Sequence, residues 1–192
     1  MGEFPRWRAR TDRMFYRAHR AAVGPWWFSS SGAGRFDLPP PHGTCYLATD
    51  ALTALREAAG SRLTALGTID VAFATERCVS ALRLPTGRWL ADSCHRSAAL
   101  FGLTRELCTI TPYDVPHQWA AAFHADGFAG VRYESRFTTQ SRPNSAAVFG
   151  ATGEASWPVD PAPVSLAVLA RGHGLMASAP RARSLRFVPP PT

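Results

Sequence analysis

Residues 44–60, TCYLATDALTALREAAG, decide the fold, because a strand pattern changes to a helix pattern within a few positions. The segment 44–48, TCYLA, predicts a short strand. Asp50 is a good N-cap for the helix ALTALREAA, and Gly60 is a good stop for it. The stretch therefore predicts a strand that turns directly into a short helix.

The predicted helix has one apolar stripe, formed by Leu52, Leu55 and Ala59. Glu57 lies well round the helix from this stripe. It faces either solvent or a second surface such as a cleft, and the pattern leaves both options open. A single helical Glu is usually solvated, so its position alone assigns no function.

Strand and helix patterns also occur in the rest of the chain. The further predicted strands are 14–19, 69–74, 79–84, 128–137, 145–150 and 165–169. The further predicted helices are 88–100 and 115–125. Several short strands and about three helices, without regular alternation, favour an α+β fold with mixed or antiparallel sheets. With no internal repeat and no interior linker, residues 1–192 are expected to form a single compact domain.

The segment 24–36, GPWWFSSSGAGRF, predicts a loop whose glycines permit tight turns. Three consecutive prolines at 39–41 then exclude regular structure. Trp26, Trp27 and Phe28 form a hydrophobic patch that fits a core, a pocket lid or a partner site.

Composition limits the class of protein. The chain has 192 residues, 46% hydrophobic and 18% charged, which argues against wholesale disorder. Its four cysteines fit no CxxC pair and no common zinc spacing, so we expect free thiols in a reducing cytosol and no metal site. They are Cys45, Cys78, Cys94 and Cys108.

The net charge of +7 comes from 21 basic residues, all of them arginine. A basic surface attracts nucleic acid, anionic lipid or an anionic small molecule. The arginines are spread along the chain and form no run of five or more, so a nucleic-acid patch is only weakly indicated and we expect no direct nucleic-acid contact. The sequence shows no signal-peptide core and no apolar stretch long enough for a membrane span, so we expect a cytoplasmic protein without a membrane partner.

Short motifs in a fixed order carry a family resemblance. They are Arg17 in the first predicted strand, the Gly34–Arg35–Phe36 loop, the Tyr46–Leu47–Ala48 strand, Glu57 in ALREA, Ser135–Arg136, and Asn144 before AAVF. Each motif is weak alone, but their order and spacing together resemble the RES domain, named for Arg, Glu and Ser. The resemblance covers about 14–150 and leaves 151–192 as a C-terminal extension. Asp37 departs from the family, which often has Asn there.

The resemblance implies a fold like that of ADP-ribosyltransferase toxins. It also implies NAD⁺ as substrate, with phosphorolysis or hydrolysis of the nicotinamide–ribose bond. No cofactor is expected; inorganic phosphate is a possible co-substrate. Family toxins are neutralised by an antitoxin with a helix-turn-helix domain of the Xre type, which is the expected partner.

The residue types suit that chemistry. Cleaving the bond builds positive charge on the ribose, which the Glu57 carboxylate can stabilise. Arg17 and Arg35 can grip a pyrophosphate or phosphate through bidentate bonds, although a register slip would substitute His19 or Arg20 for Arg17.

The other candidates have binding roles. Tyr46 can stack beside the nicotinamide or hold the ribose. Ser135 can bond a phosphate or the carboxamide, and Asn144 joins the NAD⁺-binding set. The predicted catalytic residues are Glu57, Arg35 and Tyr46. Two other functions stay open from the sequence: transfer of ADP-ribose to a protein, and a catalytically inert binding module.

Overall fold

The computed structural model describes residues 3–60, 63, 68–139, 144–159 and 162–175. Its strands are β1 Arg6–Ala9, β2 Phe15–Arg20, β3 Trp27–Phe28, β4 His42–Ala48, β5 Arg77–Leu82, β6 Arg88–Asp92, β7 Gly130–Tyr133, β8 Ser145–Ala151, β9 Gly153–Glu154 and β10 Val164–Ser165. Its α-helices are α1 Ala51–Ala59, α2 Val71–Thr75, α3 Asp114–Ala125 and α4 Leu166–Gly172. Two 3₁₀ helices, Arg96–Phe101 and Arg105–Cys108, connect β6 to α3.

Eight strands form one sheet in the order β1-β6-β7-β8-β4-β2-β5-β10. The β6–β7 pair is parallel and the other pairs are antiparallel. The strands β3 and β9 form a separate small ribbon. Within the described residues, three α-helices have seven or more residues. The predicted α+β class with a mixed sheet is therefore confirmed.

The stretch 44–60 folds as its sequence predicts. The Asp50 carboxylate accepts a hydrogen bond from the Thr53 backbone N–H at 2.8 Å and so caps α1. Gly60 ends the helix with φ of 54°, a left-handed value that favours glycine. Strand β4 pairs with β8 over its whole length, which fixes Tyr46 opposite Ala147. Leu55 and Ala59 of the predicted stripe are buried in the core, whereas Leu52 is only partly buried, and the buried face also includes Thr53 and Ala54.

The prediction of a strand at 69–74 is wrong. The Asp70 carboxylate accepts hydrogen bonds from the backbone N–H groups of Ala72 and Phe73, at 2.8 and 3.2 Å. This cap stabilises the first turn of α2 and outweighs the strand preference of the apolar run.

Two other assignments are also wrong. The predicted helix 88–100 is strand β6 followed by a 3₁₀ helix, because β6 is paired on both sides, by β1 and by β7. The predicted strand 165–169 is mostly helix α4, whose Leu166 and Ala170, one helical turn apart, are fully buried against the core. Strand β7 ends at Tyr133, so Ser135 lies just beyond the sheet.

Residues beyond 150 take part in the same core. Strand β9 pairs with β3, β10 pairs with β5, and α4 packs against α2 and β5. The final segment of the predicted extension, 176–192, lies outside the described residues.

The tryptophan-rich segment supplies core side chains and one exposed ring. Trp26 and Phe28 are buried, and the Trp26 indole N–H donates to the Pro158 carbonyl at 2.8 Å. Trp27 is 44% exposed. All four cysteines are free thiols, as the spacing predicts.

Candidate active site

A cleft of about 290 Å³ brings four of the six predicted site residues together, and Ser135 and Asn144 are not among the residues that line it. Its walls include Arg17 from β2, Tyr46 from β4, Glu57 from α1, and Arg35 from the loop between β3 and β4. The two central strands β2 and β4 are neighbours in the sheet, and α1 follows β4 directly. The sheet order therefore assembles four side chains that are distant in sequence.

Glu57 is directed into this cleft and away from bulk solvent. Its Oε1 accepts a hydrogen bond from the Ser135 hydroxyl. Burial raises the pKa of the Glu57 carboxyl above its ordinary value, while Ser135, Arg35, Arg136 and Tyr133 act in the opposite direction. The cleft thus holds a desolvated carboxylate in a fixed orientation.

Ser135 and Asn144 lie behind Glu57 and orient it. The Ser135 hydroxyl accepts from the Phe137 backbone N–H at 3.2 Å while donating to Glu57. The Asn144 side chain accepts from the Ser135 backbone N–H at 2.9 Å and donates to the Thr138 hydroxyl at 2.8 Å. Both residues are almost fully buried. Their polar atoms are used within the protein, so their position suits orientation of Glu57 more than contact with a ligand.

Arg35 is 8% exposed, which is unusual for a guanidinium. Its Nη1 donates to the carbonyls of Leu107 and Ile110, at 3.1 and 2.7 Å, and its charge lies 4.6 Å from the centre of the Tyr113 ring. Burial lowers the pKa of Arg35, with the Tyr113 hydroxyl the largest opposing influence. The Nη2 atom is buried and has no hydrogen-bond partner among the described residues. A buried donor of this kind favours an anionic ligand.

The Tyr46 hydroxyl connects the sheet to the loop between β3 and β4, here called the arginine loop because it carries Arg35. It accepts from the Phe36 backbone N–H and donates to the Asp37 carboxylate, both at 2.8 Å. The second Asp37 oxygen accepts from the Gly34 backbone N–H at 3.0 Å. A Cβ at Gly34 would overlap both the Tyr46 hydroxyl and the Asp37 carboxylate. Tyr46 therefore lines the cleft while its hydroxyl is hydrogen-bonded to the arginine loop. Burial raises the pKa of that hydroxyl well above its ordinary value.

Arg17 has a partly structural role. Its Nη1 donates to the carbonyls of Pro25 and Trp27, at 2.8 and 2.7 Å, and contacts the Cys45 sulfur at 2.6 Å. This nitrogen holds the tryptophan segment against the sheet. The register places Arg17 on the cleft wall, whereas the His19 ring contacts the Val23 carbonyl and the Ser80 hydroxyl.

Three cleft residues were missed from the sequence. Tyr113, Tyr133 and Arg136 line the cleft beside Arg35 and Glu57. Arg136 could have been found, because it directly follows Ser135 in the matched motif. The two tyrosines had no such signal, since Tyr113 precedes α3 and Tyr133 ends a buried strand.

Within the described parts of the chain, no group of three or more His, Cys, Asp or Glu side chains could hold a metal ion. Over the same residues, no helix combines the length and the apolar character that a membrane crossing requires.

The mixed sheet defines an α+β domain, and its cleft is lined by a part-buried carboxylate and a buried guanidinium, which suits a charged ligand. The chain matches the family model of the RES domain over residues 14–166, and it belongs to this family. The match extends beyond 150 to the start of α4, in agreement with the shared core.

Comparison with solved structures supports the same fold. The chain is similar to the crystal structure of the M. tuberculosis MbcT–MbcA toxin–antitoxin complex, with a TM-score of 0.62 and 16% sequence identity. The similarity covers 91% of this chain and 92% of that one. No curated protein matches the chain.

Proposed function

We propose that this protein is an NAD⁺-degrading enzyme that cleaves the nicotinamide–ribose bond by phosphorolysis or hydrolysis. We further propose that it is the toxin of a toxin–antitoxin pair, with an ADP-ribosyltransferase-like fold. Membership of the RES family and the fold shared with a chain of the MbcT–MbcA complex support the proposal.

One observation carries the enzymatic proposal. The oriented Glu57 carboxylate and the Arg35 guanidinium, with its unpartnered Nη2, line the same small cleft. NAD⁺ offers a matching pair of features, because its nicotinamide ribose becomes cationic during cleavage and its pyrophosphate is anionic. An inert binding module has no evident use for a buried carboxylate with a raised pKa.

Glu57 acts on the developing ribose cation. Nicotinamide leaves as a neutral molecule, and the ribose carbon takes on oxocarbenium character in the transition state. A carboxylate that is already desolvated and oriented stabilises this charge without reorganising. Ser135 and Asn144 maintain that orientation, so we assign them as positioning residues in this mechanism.

Arg35 binds the anionic part of the substrate or co-substrate. Its free Nη2 can donate to a pyrophosphate oxygen of NAD⁺ or to an attacking phosphate. The rings of Tyr46 and Tyr113 offer flat surfaces for the nicotinamide end. At about 290 Å³ the cleft lies at the small end of the range for ligand sites, which suits the nicotinamide–ribose half better than the whole dinucleotide.

The proposed partner is a protein antitoxin of the Xre helix-turn-helix type. The similar structure is a toxin–antitoxin complex, and this supports an antitoxin for the present chain. We propose action in the cytoplasm, where NAD⁺ is abundant, without direct contact to nucleic acid or membrane.

Product analysis tests the proposal. Purified protein is incubated with NAD⁺, with and without inorganic phosphate, and the products are resolved by mass. Free nicotinamide with ADP-ribose indicates hydrolysis, and nicotinamide with ADP-ribose 1″-phosphate indicates phosphorolysis. Labelled protein instead would identify an ADP-ribosyltransferase. Undiminished NAD⁺ with folded protein in both buffers would contradict the enzymatic proposal.

A cellular experiment tests the toxin assignment. Expression of the chain alone in bacteria should lower NAD⁺ and arrest growth, and co-expression of a cognate Xre-type antitoxin should restore both. Normal growth and NAD⁺ in cells that contain the folded chain would contradict it.

A further inference from the structure

Arg35 occupies the second position of a tight turn in the arginine loop. The Asp37 backbone N–H donates to the Gly34 carbonyl at 3.2 Å and closes the turn around Arg35 and Phe36. The direction in which the Arg35 side chain leaves the backbone depends on the two peptide groups on either side of its Cα. The contacts of these two peptide groups therefore decide where the guanidinium lies.

Two side chains from other parts of the chain hold those peptide groups. The Tyr46 hydroxyl accepts from the Phe36 backbone N–H at 2.8 Å, which fixes the peptide group that follows Arg35. In the peptide group that precedes Arg35, the Gly34 carbonyl oxygen lies 2.8 Å from Nε2 of His117. Since a carbonyl oxygen can only accept, Nε2 carries the hydrogen and donates it. Both sides of Arg35 are thus held by side chains that are distant in sequence.

His117 lies in the first turn of α3, close in sequence to the groups that contact the guanidinium. Its backbone N–H donates to the Tyr113 carbonyl at 2.9 Å, and the Tyr113 ring centre is 4.6 Å from the guanidinium carbon of Arg35. The carbonyls of Leu107 and Ile110, which accept from Arg35 Nη1, come a few residues earlier. One segment therefore holds Arg35 at both ends, the guanidinium through carbonyls and the backbone through His117.

Glu57 has different supports. Its carboxylate accepts from the Ser135 hydroxyl, and the Asn144 side chain accepts from the Ser135 backbone N–H. These supports follow β7 and precede β8, whereas His117 belongs to α3. A change at His117 should therefore displace Arg35 while the carboxylate keeps its orientation.

We propose that His117 is a positioning residue for Arg35. Its Nε2–H fixes the Gly34–Arg35 peptide group, and this holds Nη2, which has no partner among the described residues, in place for the anionic part of the ligand. Without the donor, the turn keeps its own hydrogen bond but loses this link to α3. The effect on NAD⁺ cleavage rests on the proposed function, whereas the effect on anion binding does not.

Pyrophosphate binding tests the proposal without catalysis. Inorganic pyrophosphate is titrated by calorimetry into the wild-type protein, and the binding that is lost in Arg35→Ala marks the Arg35 site. His117→Phe keeps a ring but removes the donor, so we expect the Kd at this site to rise on the order of 10-fold. His117→Gln can return an amide N–H to the Gly34 carbonyl and should bind within about threefold of wild type.

His124→Phe is the matched control. His124 lies on the same helix, but its ring contacts the His42 ring at 4.4 Å between centres, so pyrophosphate binding should be unchanged. If His117→Phe does not fold, His117→Asn replaces it, because the shorter amide does not reach the carbonyl. A wild-type Kd in either folded variant, equal weakening in His117→Gln or His124→Phe, or no Arg35-dependent binding in wild type would overturn the proposal.

Steady-state kinetics separate positioning from loss of stability. Partial unfolding lowers the apparent kcat and leaves KM unchanged, whereas a displaced Arg35 raises the KM for the substrate that it holds, NAD⁺ or phosphate. We expect His117→Phe to raise that KM on the order of 10-fold and to change kcat by less than about twofold. The rise should shrink in an Arg35→Lys background, where the planar fork is already lost.

A lower kcat at unchanged KM, or an equal rise in KM in the Arg35→Lys background, would overturn the positioning role. If the wild-type protein does not consume NAD⁺, the proposed function fails, while the pyrophosphate titration still tests His117.

Discussion

The cleft around Arg35 and the sheet edge at β1, where β1 pairs with β6, use arginine in opposite ways. In the cleft, Arg35 is 8% exposed and one of its nitrogens has no partner among the described residues. At the edge, the guanidinium groups of Arg6 and Arg8 lie 5.9 and 5.7 Å from the centre of the Trp89 ring, which is 46% exposed. The two regions share a residue type but differ in solvation.

The difference has an energetic meaning. An exposed cation–π contact contributes about 0.5–1 kcal/mol and keeps its water. Burying a guanidinium without satisfying it costs free energy, and proteins keep such groups mainly at functional sites. Arg56 and Arg88 each also have a buried Nε without a hydrogen-bond partner among the described residues, but both side chains are only partly buried. Arg35 differs because the whole residue is buried and lines the cleft, so its position, and not the number of arginines, indicates function.

The largest effect is expected at Glu57. Glu57→Gln preserves size and can still accept from Ser135, but it removes the charge that stabilises the ribose cation. We expect kcat to fall by roughly 10²–10³-fold with little change in KM. Glu134→Gln is the matched control, because Glu134 pairs with the exposed Arg105. Steady-state kinetics check both, and a wild-type rate in folded Glu57→Gln protein would remove Glu57 from the mechanism.

The next effect is expected at Gly34. Gly34→Ala forces a methyl group into the Tyr46 hydroxyl and the Asp37 carboxylate, so the arginine loop must move. We expect a loss of about 1–3 kcal/mol in the free energy of unfolding, with reduced NAD⁺ cleavage. Gly172→Ala, at a helix position with open space, should be neutral or slightly stabilising. Denaturant unfolding measures both, and equal stabilities would show that the contact at Gly34 relaxes freely.

Arg35→Lys tests whether Arg35 binds the pyrophosphate of NAD⁺ or the attacking phosphate. Lysine keeps the charge but loses the planar fork that reaches two carbonyls and a ligand. We expect the KM for NAD⁺ to rise on the order of 10-fold if Arg35 holds the pyrophosphate. A rise in the KM for phosphate alone would assign Arg35 to the acceptor. Arg8→Lys, at the edge, should leave both constants unchanged.

The pH dependence follows from burial of Glu57. Its pKa is raised, chiefly by desolvation, so activity should fall with acidification at a pH above that of an ordinary glutamate, by about tenfold per unit below the pKa. A raised folded-state pKa also means that the ionised carboxylate lowers stability as pH rises through that pKa. Glu57→Gln should therefore unfold at a higher temperature than wild type at neutral pH, with the difference shrinking in acid. Parallel kcat and melting profiles check the prediction; an acid limb typical of a solvated glutamate would contradict it.

The smallest effect is expected at the sheet edge. Arg8→Ala removes one exposed guanidinium from Trp89 and should cost less than about 1 kcal/mol of stability. NAD⁺ cleavage should be unchanged. A large loss of activity would mean that the edge and the cleft are coupled, and that the contrast between them is too simple.

Four of the predicted site residues, Arg17, Arg35, Tyr46 and Glu57, line one cleft, and their roles stay predictions, whereas several of the predicted strands and helices were wrong. The Asp50 and Gly60 caps are local signals, so the helix carrying Glu57 was correct. The segment of α2 was predicted to be a strand because of its apolar run. It is a helix because the Asp70 side chain caps its first turn. Strand β6 was read as a helix because its pairing with β1 and β7 depends on distant segments.

The internal contacts of the site were not predictable. Motif order indicated Tyr46 and Ser135, but their hydroxyls are used by Asp37 and Glu57. No local pattern encodes which partner a hydroxyl finds, since those partners come from other parts of the chain. Tyr113 was missed for the same reason.

Because the Nη2 of Arg35 has no partner among the described residues, the thermal stability of the protein should report on ligands that bind there. Any molecule that supplies an acceptor there binds the folded chain and not the unfolded one, so mass action raises the melting temperature by an amount that grows with concentration. A thermal-shift screen of phosphate-bearing fragments could therefore rank inhibitors without a catalytic assay, and loss of the shift in Arg35→Ala would identify those that occupy the cleft.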